Sequence, residues 1–103
     1  MYYYLIIATL NKISLNKQLD ALFINNDFTL IDDHHLLYNN EIIEFEYLIY
    51  SNKLNVTYQK PNMLIFEHNI PITNFYYQTS LENIYFITED NLEQKILDII
   101  NNE

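Results

Sequence analysis

No glycine occurs anywhere in the 103 residues. Every turn that needs a left-handed backbone must therefore be made by a residue with a side chain, and asparagine tolerates that region best. The chain carries 15 Asn, and they recur in short polar breaks between apolar runs: "INNDF", "YNNEI", "SNKLN", "KPNML" and "EHNIP". Read as turns, these breaks divide the chain into its elements. The same absence removes two function classes. A phosphate-binding loop and a nucleophile elbow both need glycine at fixed positions.

Between the breaks, Tyr2 to Thr9 is a near-continuous apolar run, the pattern of a central strand buried on both faces. Ser14 caps a predicted helix over Leu15 to Asn25, in which Leu15, Leu19, Leu22 and Phe23 form one apolar stripe. Strands are predicted at Phe28 to Ile31, at Leu36 to Tyr38 and from Ile42 onwards, the last two joined by a hairpin at Asn39-Asn40. Leu54 to Tyr58 and Met63 to His68 flank a turn at Lys60-Pro61-Asn62. Ile72 to Gln78 fits a short strand or an irregular aromatic segment. Asn83 to Thr88 is a strand, and Asp90, with Glu93 as capping-box partner, starts a last helix that buries Leu92, Ile96, Ile99 and Ile100. The expectation is one α+β domain over residues 1–103. It has a single antiparallel or mixed sheet of five to seven strands, with two amphipathic helices packed on one face.

Codon bias explains much of the composition, since Phe, Tyr, Met, Ile, Asn and Lys have AT-rich codons and make up more than half the chain. It does not explain the charge. Lysine should have risen with asparagine, yet Lys and Arg total 5 against 14 Asp and Glu, a formal net charge of -9. Solubility accounts for this charge, and so does a docking surface for a basic partner. With no basic stripe to neutralise phosphates, direct nucleic-acid binding is not expected. The lack of cysteine excludes disulfides and thiolate metal sites. "MYYYLIIATL" is too short to span a bilayer and has no basic flank or cleavage site, so neither membrane association nor export is expected, and the cytoplasm is the default compartment.

The acids are not interleaved with bases. Between Lys17 and Lys53 stand Asp20, Asp27, Asp32, Asp33, Glu41, Glu44 and Glu46, and between Lys60 and Lys95 stand Glu67, Glu82, Glu89, Asp90 and Glu93. In "EIIEFEYLIY", residues 41–50, strand alternation puts Ile43, Phe45, Tyr47 and Ile49 on a core face and Glu44, Glu46, Leu48 and Tyr50 on the other. The two glutamates stand about 7 Å apart along the strand. A solvated sheet face is one reading; the other is half of a contact patch, with carboxylates for charge and Tyr50 for buried area.

"DDHH", residues 32–35, is the best candidate for chemistry. Asp32 and His34, joined by Glu67 and His68, would make a metal site for a small hydrolase; the tetrad is otherwise a polar turn. "EQK" at 93–95 echoes half of a nuclease motif but falls in the last helix, and Ser14, Ser51 and Ser80 sit at caps or turns. No catalytic residue, metal or cofactor is therefore assigned. Ten tyrosines exceed what one small core can satisfy, so parts of Tyr2-Tyr3-Tyr4 and Tyr76-Tyr77 are expected at the surface.

These readings converge on a small acidic, non-enzymatic inhibitor that binds the basic surface of a nucleic-acid-handling protein. A phage or mobile-element anti-defence protein directed at a nuclease, a restriction enzyme or a CRISPR effector fits this style, with nucleic-acid mimicry as one mode. The residues expected to bind are Asp32, Asp33, Glu41, Glu44, Glu46 and Tyr50. An immunity protein for a basic toxin nuclease, the metal-dependent hydrolase and a housekeeping subunit are the alternatives, and homodimerisation is left open.

Overall fold

The computed structural model describes residues 2–10, 21–88 and 91–101. In chain order the elements are β1 (Tyr2–Ala8), β2 (Ala21–Ile24), β3 (Phe28–Leu30), β4 (His35–Tyr38), β5 (Glu41–Ser51), β6 (Val56–Tyr58), β7 (Phe66–Glu67), β8 (Ile70–Pro71), β9 (Ile84–Ile87) and α1 (Leu92–Asn101). Seven strands form one mixed sheet in the order β2-β1-β5-β4-β3-β6, with β9 also paired to β5; β7 and β8 make a separate two-stranded hairpin.

β1 takes parallel partners on both edges, β2 and β5, and its Ile6, Ile7 and Ala8 are fully buried, as a two-faced apolar run requires. β5 is the long strand that organises the rest. One of its edges holds β1. The other is shared, first by β4 antiparallel over Glu41 to Glu44 and then by β9 parallel over Leu48 to Ser51. The hairpin into β5 turns on Asn39 and Asn40, both with positive φ (52° and 65°), the two-residue turn that matches strand twist. Asn69 and Asn91 also take positive φ, so asparagine does fill the role that glycine usually plays.

Two cores result. On one face, Ile6, Phe28, Leu30, Leu36, Phe45 and Tyr50 lie in a cluster that the sheet curls around. The curl is visible in the Tyr50 and Tyr58 hydroxyls, 2.8 Å apart although β4 and β3 separate their strands in the sheet order. On the other face, α1 lays Leu92, Ile96 and Ile99 over Leu5, Ile7, Ile49, Tyr85 and Ile87. Each such aliphatic side chain contributes about 1.5–3 kcal/mol by leaving water.

The expected pair of helices on one face is not found. Among the described residues there is one helix, and Ala21–Ile24 is a strand hydrogen-bonded alongside β1, not the second half of a helix. The start of that predicted helix, Ser14 to Asp20, lies outside the described residues, as does the Asp90 cap. The reason is tertiary. Leu22 and Ile24 join the sheet's curled core, whereas a helical turn there would leave the β1 edge without its ladder.

β5 also departs from its expected pattern. Ile43 and Phe45 share a cluster with Leu48 and Tyr50, while Tyr47 and Ile49 belong to the cluster under α1. The strict alternation expected from Glu41 to Tyr50 therefore slips by one near Glu46. Tyr4 and Glu46 are also missing from an otherwise unbroken β1–β5 register. Met63 to His68 contracts to the two residues of β7, and Ile72 to Gln78 is irregular, touching the sheet through a single bridge from Gln78 to Tyr85.

Candidate binding face

The slip near Glu46 falls where the β5 edge passes from β4 to β9. Here the sheet splits, and the four residues of "DDHH" fold into the gap. Asp32 forms the turn by accepting the His34 backbone N–H at 2.9 Å, an Asx-type closure. The Phe45 N–H donates to the His34 carbonyl at 2.8 Å, and the His34 ring reaches back to the Phe45 carbonyl through Nδ1 at 3.0 Å. Asn83 locks the gap from the β9 side, its amide donating to the carbonyls of Asp33 (2.6 Å) and Glu46 (2.9 Å).

The turn and the sheet thereby present their carboxylates together. Glu44 stands in register between Tyr2 on β1 and His35 on β4. Glu46 accepts the Tyr2 hydroxyl at 2.9 Å. Asp32 holds the His35 Nδ1 at 2.8 Å, and the same ring's Nε2 lies 3.8 Å from Glu44. His34 repeats the arrangement, with Nδ1 on a carbonyl and Nε2 3.6 Å from Asp33. Each imidazole thus has its Nδ1 committed as a donor and its Nε2 turned toward a carboxylate. Among the described residues these histidines, and His68 beside Glu67, supply the ion pairs; Lys53, Lys60 and Lys95 supply none to a described carboxylate.

The charges leave their mark on the titrating groups. Desolvation pulls the Asp32 pKa up, but the His34 N–H and the His35 ring outweigh it, and the net shift is downward. His34 is raised, first by the Phe45 carbonyl that accepts from its ring and then, against desolvation, by Asp33, Glu46 and Asp32. Tyr2 is raised by its hydrogen bond to Glu46, by desolvation and by the charges of Glu46 and Glu44.

Of the residues singled out in the sequence, Asp32, Asp33, Glu44 and Glu46 come together on this face. Glu41 is exposed at the hairpin end, on the opposite side of β5 by alternation from Glu44. Tyr50 does not belong to the face: it is 1% exposed, stacked edge-on against Phe28 and Phe86, and has no surface to offer a partner. Tyr2 and Tyr4 take its place at the rim, both exposed, with Tyr4 edge-on to Tyr47. The four ligands imagined for a hydrolase are not brought together. Glu67 and His68 face each other on the β7–β8 hairpin, and no three potential metal-ligating side chains converge among the described residues.

Beyond Asn83 a second feature adjoins. Asn74 closes the loop 74–78 on itself: its N–H donates to the Gln78 carbonyl, its carbonyl accepts the Tyr77 N–H, and its side-chain oxygen takes the N–H groups of Tyr76 and Gln78. Tyr77 is held at φ 67°, an unusual value for a bulky side chain. The loop displays Phe75, 98% exposed, and Tyr76 on its tip. Of the two readings the sequence left open for Ile72 to Gln78, the irregular aromatic segment is the one found, with Tyr76 exposed as expected; Asn83 was read only as the start of a strand.

No protein-family model, no curated protein and no solved structure matches this chain. No described helix is long and apolar enough to cross a membrane.

Proposed function

We propose that the protein is a small acidic binding module that docks the Asp32, Asp33, Glu44 and Glu46 face onto the basic surface of a nucleic-acid-handling protein and so inhibits it. A phage or mobile-element protein acting against a host nuclease or CRISPR effector is the setting this chemistry suits. The observation that carries the reading is the placement of four carboxylates at one split in the sheet, with histidine as their only described counter-charge. Fixed negative charge that no described lysine pairs with speeds association with a cationic surface and excludes anionic competitors. Backbone hydrogen bonds hold the turn, so little ordering is left to be done on binding.

The test is inhibition of DNA cleavage by a panel of restriction enzymes and CRISPR effectors, with binding measured at low and high salt. The Glu44→Lys, Glu46→Lys double variant should lose at least about tenfold in affinity for the enzyme inhibited while the melting temperature changes little, because Glu44 is exposed and Glu46, half-buried, gives up only an exposed bond to the Tyr2 hydroxyl. Added salt should weaken the wild type in the same direction. Inhibition indifferent to both charge reversal and salt would rule out electrostatic docking, and no inhibition across the panel would rule out this target class.

A further inference from the structure

Phe75 and Tyr76 stand on a loop that its own hydrogen bonds hold shut, so their exposure is built in. Besides the Asn74 contacts, the Asn74 amide donates to Gln78 Oε1 and Gln78 Nε2 donates to the Glu82 carbonyl, which pins both ends of the loop. Between this loop and the last turns of α1 runs an open groove of about 540 Å³, lined by Phe75, Tyr76, Tyr77, Tyr85, Asp98 and Ile99. The end of α1 adds charge of the same sign. A helix C-terminus carries partial negative charge, and the last turn here has no basic residue to offset it. One cation already rests on this aromatic cluster: the Lys95 ammonium, bonded to Thr88 Oγ1, lies 6.0 Å from the Tyr77 ring centre.

We infer that this groove receives an arginine side chain of the basic partner, its guanidinium stacked on the exposed aromatic rings and drawn in by Asp98 and the helix end. The inference rests on the proposed docking of a basic surface and adds a chemical preference to it. Charge complementarity selects a cation, and planarity selects which one. A guanidinium lies flat on an aromatic face and sheds water readily, whereas a lysine ammonium is a compact, strongly hydrated charge. Position joins the groove to the carboxylates. Asn83 holds Glu46 and Asp33, and two residues later Tyr85 lines the groove. One partner segment can therefore cover both, with charge supplied by the split and selectivity by the groove.

Two peptides of equal length and charge, hexa-arginine and hexa-lysine amides, separate the two parts. Titrated into isotope-labelled protein at low salt, both should shift amide resonances around Glu44 and Glu46, and only hexa-arginine should shift those of Phe75 to Gln78. Hexa-arginine should bind about tenfold tighter. The Phe75→Ala, Tyr76→Ala double variant, altering exposed side chains only, should bring its affinity down to that of hexa-lysine. Asp98→Asn, which keeps an acceptor for Gln94, should weaken hexa-arginine more than hexa-lysine. Equal affinities in the wild type, or a preference that survives the aromatic double variant, would overturn the groove while leaving the anionic face in place. Failure of both peptides to bind would overturn both readings.

Discussion

At the scale of single residues, the tyrosine pair 50 and 58 shows how burial changes a side chain's meaning. Tyr50 sits among apolar neighbours where desolvation pushes its ionisation far out of the ordinary range, and its hydroxyl has Tyr58 as partner. Removing the Tyr58 hydroxyl leaves that of Tyr50 short of a partner inside the core, so Tyr58→Phe should cost about 1–2 kcal/mol, and Tyr50→Phe, which strands a hydroxyl only half-buried, should cost less. The double variant should cost less than their sum, because it removes both polar groups together. Urea denaturation of the four proteins measures this, and strict additivity would mean that the two hydroxyls are not coupled. Asn83 poses the same question at the site. Its two bonds hold the turn to β5, so Asn83→Ala should cost about 1–3 kcal/mol and speed amide exchange at His34 and Phe45. Sequence could not reveal this role. A lone asparagine before a strand is ordinary, and only the fold brings Asp33 and Glu46 to it.

At the scale of elements, what was legible followed from local chemistry, and what was not followed from pairing. β1, β4, β9 and α1 were readable because their apolar patterns match their own geometry, and the Asn39-Asn40 turn because both residues accept positive φ. That turn gives a direct check. Asn40→Gly should be neutral or slightly stabilising, whereas Asn40→Val should cost about 1–2 kcal/mol, since a β-branched side chain at φ 65° clashes with its own backbone. A valine variant as stable as the parent would mean that the turn is not built this way. The stripe at Leu15, Leu19, Leu22 and Phe23 misled because helical spacing and a short apolar run look alike over four residues. For Ala21–Ile24 the deciding term was a ladder to β1, invisible until β1 has a place. The arrangement of the proposed face was legible in part for the same reason. Asp32, Asp33, Glu44 and Glu46 carried a charge signal that any fold would keep. Tyr50 was misplaced by extending a period-two pattern through the slip near Glu46, and nothing local to those residues announces it.

At the scale of the whole molecule, a net charge of -9 sets the fold and the proposed docking against each other as pH changes. The folded His34 binds its proton more tightly than the ordinary value of 6.5. It therefore adds stability that is fully present below that value and lost as pH rises through the raised folded pKa. Asp32 acts at the other end. Its lowered pKa adds stability present above about 3.9, lost as pH falls through the folded value. Between these limits, moderate acid should raise the melting temperature, helped by weaker self-repulsion of the remaining carboxylates. Docking should move the opposite way. A protonated His34 puts positive charge among Asp33, Glu46 and Asp32. Affinity for a basic surface should then fall as pH drops from 8 to about 5.5, over the range in which histidine titrates, while thermal stability rises. His34→Gln should flatten part of both slopes at once, because one proton feeds both. Parallel slopes for binding and melting in the wild type, or an unchanged profile in the variant, would mean that the imidazole in the split does not govern the charge of the face.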